Sequence, residues 1–196
     1  TPLDAIIFDC DGTLSSIEGI DQLAESAGAG EPVRELTATA MGKTGLTPNI
    51  YQQRLDLISP TRQLIDLLGA QYCKNLTPDT AAVIHLLQHL RKPIYIVSAG
   101  LHPAIVPLAE LLHIPEQHIF AVKITFDETG AAGFHEQDSP LINNDGKKII
   151  VAKLMEKHPR VGYIGDGLND VVVRDQVTRF IGYGGIYYRK NIEALC

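Results

Sequence analysis

AIIFDCDGTLS, running from Ala5 to Ser15, is an apolar strand that leads straight into two acids and a glycine. Ile6, Ile7 and Phe8 are the β-branched and aromatic residues of a buried strand. Asp9 and Asp11 stand two apart, so they address one face while Cys10 points away. Gly12 frees the backbone to bend, and Thr13 and Ser15 add hydroxyls. Two carboxylates pack poorly at the end of such a strand. In an open α/β sheet, however, the carboxyl end of a strand is where ligands bind. The plain alternative is a solvated Asp-Gly turn, and the rest of the chain must decide.

Two further strands end in the same manner. Val161 to Ile164 runs into Gly165-Asp166-Gly167-Leu168-Asn169-Asp170, again glycines and carboxylates. Ile94 to Val97 runs into Ser98-Ala99-Gly100, where a hydroxyl beside a glycine can donate to a phosphoryl oxygen. Residues 145–157 read as a helix with Ile150, Val151 and Leu154 inward and Lys147 and Lys148 in the first turn. The helix dipole disfavours cations there by about 0.3–1 kcal/mol, so a lysine at that place is best explained by an anion it meets.

The stretch from Ile17 to about Ala70 is helical in pattern. Ile20, Leu23, Ala24 and Ala27 recur at helical spacing, and Gly28 and Gly30 end that helix. Pro32, Pro48 and Pro60 each suit the first turn of a new one. Their apolar faces are Val33, Leu36 and Ala40, then Tyr51, Leu55 and Ile58, then Leu64, Leu67 and Leu68. Thr77-Pro78-Asp79 opens a core helix expected to turn Val83, Leu86, Leu87 and Leu90 inward, and residues 119–134 read as a β-hairpin. Several short helices between a first strand and the next β-α unit suggest a small helical-bundle cap inserted after the first strand, and the family resemblance given below implies an α/β fold with a three-layer Rossmann-like core and a parallel sheet. Residues 1–15 and 76–196 form the core in this reading, and 16–75 the cap.

Composition narrows the function. The chain has 196 residues, 45 % of them hydrophobic and 20 % charged, which suits one globular domain with a small insertion. A net charge of −6 argues against a nucleic-acid or anionic-membrane surface, and no stretch is apolar enough to span a membrane. Cys10, Cys73 and Cys196 are scattered and odd in number, so a reducing cytoplasm is the expected setting. The chain enters a strand almost at once, so no signal peptide is expected, and the Thr1 start implies trimming. Gly42-Lys43-Thr44 imitates the end of a Walker A loop, but Thr37 stands where that loop needs glycine. His85 and His89 have zinc-pair spacing but fall on a face expected to be solvated.

DCDGTL resembles the first motif of the haloacid-dehalogenase superfamily of phosphatases, and the later parts follow in that superfamily's order: Ser98, Lys147, then GDGLND. The resemblance implies that Asp9 is the nucleophile and Asp11 the general acid/base. It implies Mg²⁺ held by Asp9, Asp166 and the backbone carbonyl of Asp11, with Asp170 as ligand or close support. Ser98 and Lys147 would hold the phosphoryl oxygens, Lys147 rather than Lys148 because of the apolar pattern behind it, and Ala99 and Asn169 would line the same place. A closer resemblance, to the phosphoserine phosphatases of that superfamily, covers nearly the whole chain. SSIEGIDQLA implies Glu18 for the substrate amino group, TATAMGKTG implies Met41 and Gly42, and YQQRLDLISPTR implies Arg54 for the carboxylate. An anion and a cation suit a zwitterionic amino acid. Two departures are Ala99, where the family has glycine, and Thr47, where its cap often has Phe. The implied activity is Mg²⁺-dependent hydrolysis of a small phosphate monoester, O-phosphoserine first. The alternatives are another small phosphorylated amine or amino acid, or a non-catalytic binding protein on the same scaffold. No nucleic-acid or membrane partner is expected, and the protein is expected to be a monomer or homodimer.

Overall fold

Strand β1 (Ala5–Phe8) is buried at every residue. A strand without a wet face needs helices on both sides of its sheet. Five helices follow it: α1 (Gly19–Ser26), α2 (Gly30–Met41), α3 (Pro48–Ile58), α4 (Arg62–Lys74) and α5 (Thr80–His89). Next come β2 (Ile94–Leu101), α6 (His102–Leu111), β3 (Ile119–Val122), β4 (Ile124–Phe126) and β5 (Ala132–His135). The last elements are α7 (Gly146–Lys157), β6 (Val161–Gly165), α8 (Leu168–Val171), β7 (Arg179–Gly182) and α9 (Lys190–Glu193). This computed structural model describes residues 2–41, 46–135 and 138–196, without the side chains of 39–41 and 133–135. Gly42, with Lys43 and Thr44, and the side chain of Met41 therefore lie outside the described residues.

The main sheet has the order β3-β2-β1-β6-β7, and every pairing in it is parallel. This is the expected three-layer α/β core. The central β1 has β2 on one side and β6 on the other, so its carboxyl end opens where the strand order reverses. Asp9 and Asp166 directly follow paired strands, since Phe8 pairs with Ile164. Helices α1 to α4 pack on one another, and α4 also packs on α6 of the core. Thr47, at a departure from the family pattern, caps α3: its side chain accepts from the Ile50 amide at 3.3 Å.

Three expectations are corrected. The face of α5 is rotated: Thr80 and Ile84 are buried, whereas Val83, Leu86 and Leu90 are 45–57 % exposed. Hydrogen bonding sets that phase. The Thr77 amide and the Thr80 hydroxyl both donate to the Leu14 carbonyl, which turns their side of the helix inward against the apolar pattern. The expected hairpin divides. Ile119–Val122 joins the main sheet as β3, and only β4 pairs antiparallel with β5. Finally, β2 does not stop at Val97. It continues through Ser98, Ala99 and Gly100 to Leu101, with an irregularity in its pairing to β3 over that span.

Candidate active site

The carboxylates gather at the ends of β1 and β6, and two glycines make room for them. A Cβ on Gly12, which has φ +64°, would come within 2.7 Å of the Asp166 carboxylate. A Cβ on Gly165 would meet the Asp170 carboxylate. Lys147, in the first turn of α7, is 2 % exposed and reaches both Asp9 Oδ2 at 2.7 Å and Asp170 Oδ1 at 2.6 Å. The anion expected to explain a lysine at that helix start is therefore a pair of carboxylates. Asp9 Oδ1 accepts from the Cys10 amide at 2.7 Å. Asp170 makes two further bonds: Oδ1 also accepts from the Tyr163 hydroxyl at 2.6 Å, and Oδ2 from the Gly167 amide at 2.8 Å.

Asp11 is not bonded into this group. Its Oδ1 accepts from the Tyr72 hydroxyl at 2.7 Å and from the Gly19 amide at 2.8 Å. Ser98 lies fully buried at the end of the neighbouring β2, where its Oγ accepts from the Gly100 amide at 2.9 Å and keeps its own proton to donate. The Ala99 carbonyl accepts from the Tyr51 hydroxyl at 3.1 Å, joining α3 to this strand end. Asn169 is half-buried beside the Gly167 backbone.

Arg189 completes the site, and nothing in the sequence pattern singled it out. It comes from the segment between β7 and α9, and its Nη1 donates to the Asp166 carbonyl at 2.9 Å and to Oδ2 at 2.6 Å. Its Nη2 lies 3.5 Å from Glu18 Oε1, and its guanidinium sits over the Tyr187 ring. Glu18 thus faces the carboxylate group from the start of α1. Arg54 is different: it is 7 % exposed, its guanidinium rests 5.6 Å from the Tyr51 ring centre, and its Nε has no hydrogen-bond partner among the described residues.

Burial dominates the electrostatics. It raises the Asp9 carboxyl well above the usual range, helped by the Asp170 charge and opposed by Lys147. Burial also raises Asp11 against its bonds from Tyr72 and Gly19, and lifts Asp166 to about 6 against Arg189. Glu18 is pushed up to about 8 by burial and by the Asp11 and Asp166 charges, with Arg189 opposing. Solvent reaching 36 % of the Glu18 side chain tempers that rise. Burial works against the Lys147 ammonium, but Asp170 and Asp9 outweigh it and hold the charge more firmly than in water. Burial lowers Arg54.

Asp9, Asp166 and Asp170 each bring a carboxylate oxygen within 4.8 Å of the others, and all three are buried. An all-oxygen set of this kind fits a hard divalent cation such as Mg²⁺ and offers nothing to a metal that seeks thiolate or imidazole. The Asp11 carboxylate is not one of these three, and its Oδ1 is taken by Tyr72 and Gly19.

The profile of the haloacid dehalogenase-like hydrolases matches residues 3–173. The phosphoserine phosphatase of Mus musculus is 33 % identical over 193 residues, which is 97 % of this chain and 85 % of that protein. The Bos taurus phosphoserine phosphatase is 31 % identical over 192 residues, with the same shares covered. Among solved structures, a phosphoserine phosphohydrolase-like protein from Francisella tularensis superposes with a TM-score of 0.83 at 27 % identity, covering 98 % of this chain and 93 % of that one.

Proposed function

The chain belongs to the haloacid dehalogenase-like hydrolases and is a phosphatase of that family, and from this premise we propose that it hydrolyses O-phosphoserine to serine and phosphate through an aspartyl-phosphate on Asp9. The observation that carries the reading is Arg54, a buried guanidinium with an unpartnered Nε on α3, in a chain whose relatives are phosphoserine phosphatases. A buried guanidinium with a nitrogen left unbonded among the described residues is costly unless an anion comes to it, and a substrate carboxylate is the anion that its fork fits. Glu18 supplies the opposite charge for an ammonium. In this reading residues 16–75 act as the selecting cap over the chemistry of the core.

Asp9, Asp166 and Asp170 would hold the Mg²⁺, which supplies charge to offset the repulsion between a carboxylate and a phosphate dianion. Asp9 attacks the phosphorus, the P–O bond to the serine oxygen breaks, and the Asp11 carboxyl gives its proton to that oxygen. Water then attacks the aspartyl-phosphate and passes a proton to the Asp11 carboxylate, while the bond from phosphorus to Asp9 breaks and phosphate leaves. The raised Asp11 suits a group that must begin protonated. Lys147 and the Ser98 hydroxyl orient the phosphoryl oxygens from fixed positions.

The test is phosphate release from a panel of monoesters with Mg²⁺. Phosphoserine is expected to be the best substrate, with turnover lost on chelation. A preference for a phosphorylated amine without a carboxylate would leave Arg54 without a role and favour another small substrate. No release from any monoester would leave only a binding protein.

A further inference from the structure

We infer that Tyr72 is a positioning residue for Asp11: with the Gly19 amide it occupies Oδ1, so that the acidic proton of Asp11 is carried on Oδ2, towards the leaving oxygen. The inference rests on the reading of Asp11 as general acid/base and adds a residue from outside every motif that reading used. Tyr72 lies in the last turn of α4 and is fully buried. Its hydroxyl donates to Asp11 Oδ1 at 2.7 Å, across 61 residues of sequence. The Gly19 amide, at the start of α1 where helix N–H groups lack internal partners, donates to the same oxygen at 2.8 Å. The two contacts are built together, because a Cβ on Gly19 would collide with the Tyr72 hydroxyl.

The chemistry follows from the count of donors. An amide is only ever a donor, and a phenol with an ordinary pKa near 10 keeps its proton at neutral pH. An oxygen that accepts from both cannot also present a proton to either. Oδ1 is therefore an acceptor in both charge states of Asp11, and no hydrogen bond among the described residues reaches Oδ2. A general acid must hold its proton within reach of one atom, and free rotation of the carboxyl would place it on the wrong oxygen part of the time. Tyr72 also makes that alignment depend on the packing of α4, a helix inserted between β1 and β2.

Tyr72→Phe removes the hydroxyl, keeps the ring, and leaves Gly19 in place. We would compare kcat/KM for wild type and variant on p-nitrophenyl phosphate, phenyl phosphate, a simple alkyl phosphate and phosphoserine, with Mg²⁺ present. The p-nitrophenolate leaves without a proton, so its value should change by no more than about 3-fold. The alkyl phosphate and phosphoserine should lose roughly 10- to 100-fold, the scale of a lost hydrogen bond to a charged group, with phenyl phosphate between. The alkyl phosphate has neither amino group nor carboxylate, so its loss cannot come from Glu18 or Arg54. A uniform loss across leaving groups, or none, overturns the inference for Tyr72 while the active wild type leaves the phosphatase reading intact. A wild type inactive on all four esters overturns that reading, and the inference with it.

Discussion

At the carboxyl ends of β1 and β6 each buried carboxylate already has its partners: Lys147 bridges Asp9 and Asp170, and Arg189 holds Asp166. Among the helices between β1 and β2, two charges near the site are less completely bonded. Arg54 is buried with its Nε unsatisfied among the described residues, and Glu18 is pushed up to about 8 with a 3.5 Å approach from Arg189. A completed network costs the fold little and stays in place between turnovers, whereas an incomplete one is held at a cost until a ligand completes it. The contrast separates two tasks. In the proposed function the core carries a reaction common to phosphate esters, and the helices recognise one kind of ester.

The largest effect should come from breaking the core half. Asp9→Asn keeps the shape and leaves Lys147 paired with Asp170, so the fold should survive while kcat falls by at least about 1,000-fold on every ester. Steady-state assays beside a thermal melt check this. Substantial turnover in a clean preparation would show that another group attacks.

Stability sharpens the comparison. Lys147→Ala leaves two buried carboxylates without their cation and should cost about 3–5 kcal/mol. Arg54→Ala removes a guanidinium with no ion pair at contact distance among the described residues, and should cost no more than about 1 kcal/mol, mostly lost packing on Tyr51. Urea unfolding without phosphate esters measures both. Equal costs would mean that Arg54 has a structural partner and is not waiting for a ligand.

The smallest effect is one of pH. Glu18 must be ionised to hold an ammonium, and its carboxyl is raised to about 8, so the charged fraction grows as pH rises through that value. Phosphoserine should bind the Asp9→Asn protein about 5-fold more tightly at pH ~8.5 than at pH ~7, and Glu18→Gln should flatten the trend. Titration calorimetry at the two values decides it. Affinity that falls with pH would contradict the role of Glu18.

The sequence made the core half legible because its signals are local. An apolar run that breaks into acids and glycines, as at Phe8-Asp9 and Ile164-Gly165-Asp166, already says strand, turn and ligand end. The helices before β2 followed from the same periodicities, and the parallel sheet from the family resemblance. Arg189 was invisible because it comes 23 residues after Asp166, from a segment without pattern, and only the fold brings it back. Tyr72 was not singled out, since its hydroxyl has meaning only beside Asp11. The face of α5 was misread because its apolar stripe and its hydrogen-bonding stripe differ by one residue, and the bonds to Leu14 prevailed.

The most direct test of the division between chemistry and recognition is the effect of Arg54→Ala on two substrates at once. For phosphoserine kcat/KM should fall roughly 30- to 1,000-fold, the cost of losing a buried charged partner. For p-nitrophenyl phosphate, which has no carboxylate to hold, the loss should be much smaller. Equal losses on both, or no loss on phosphoserine, would contradict the assignment of recognition to the helices and of phosphoserine to the site.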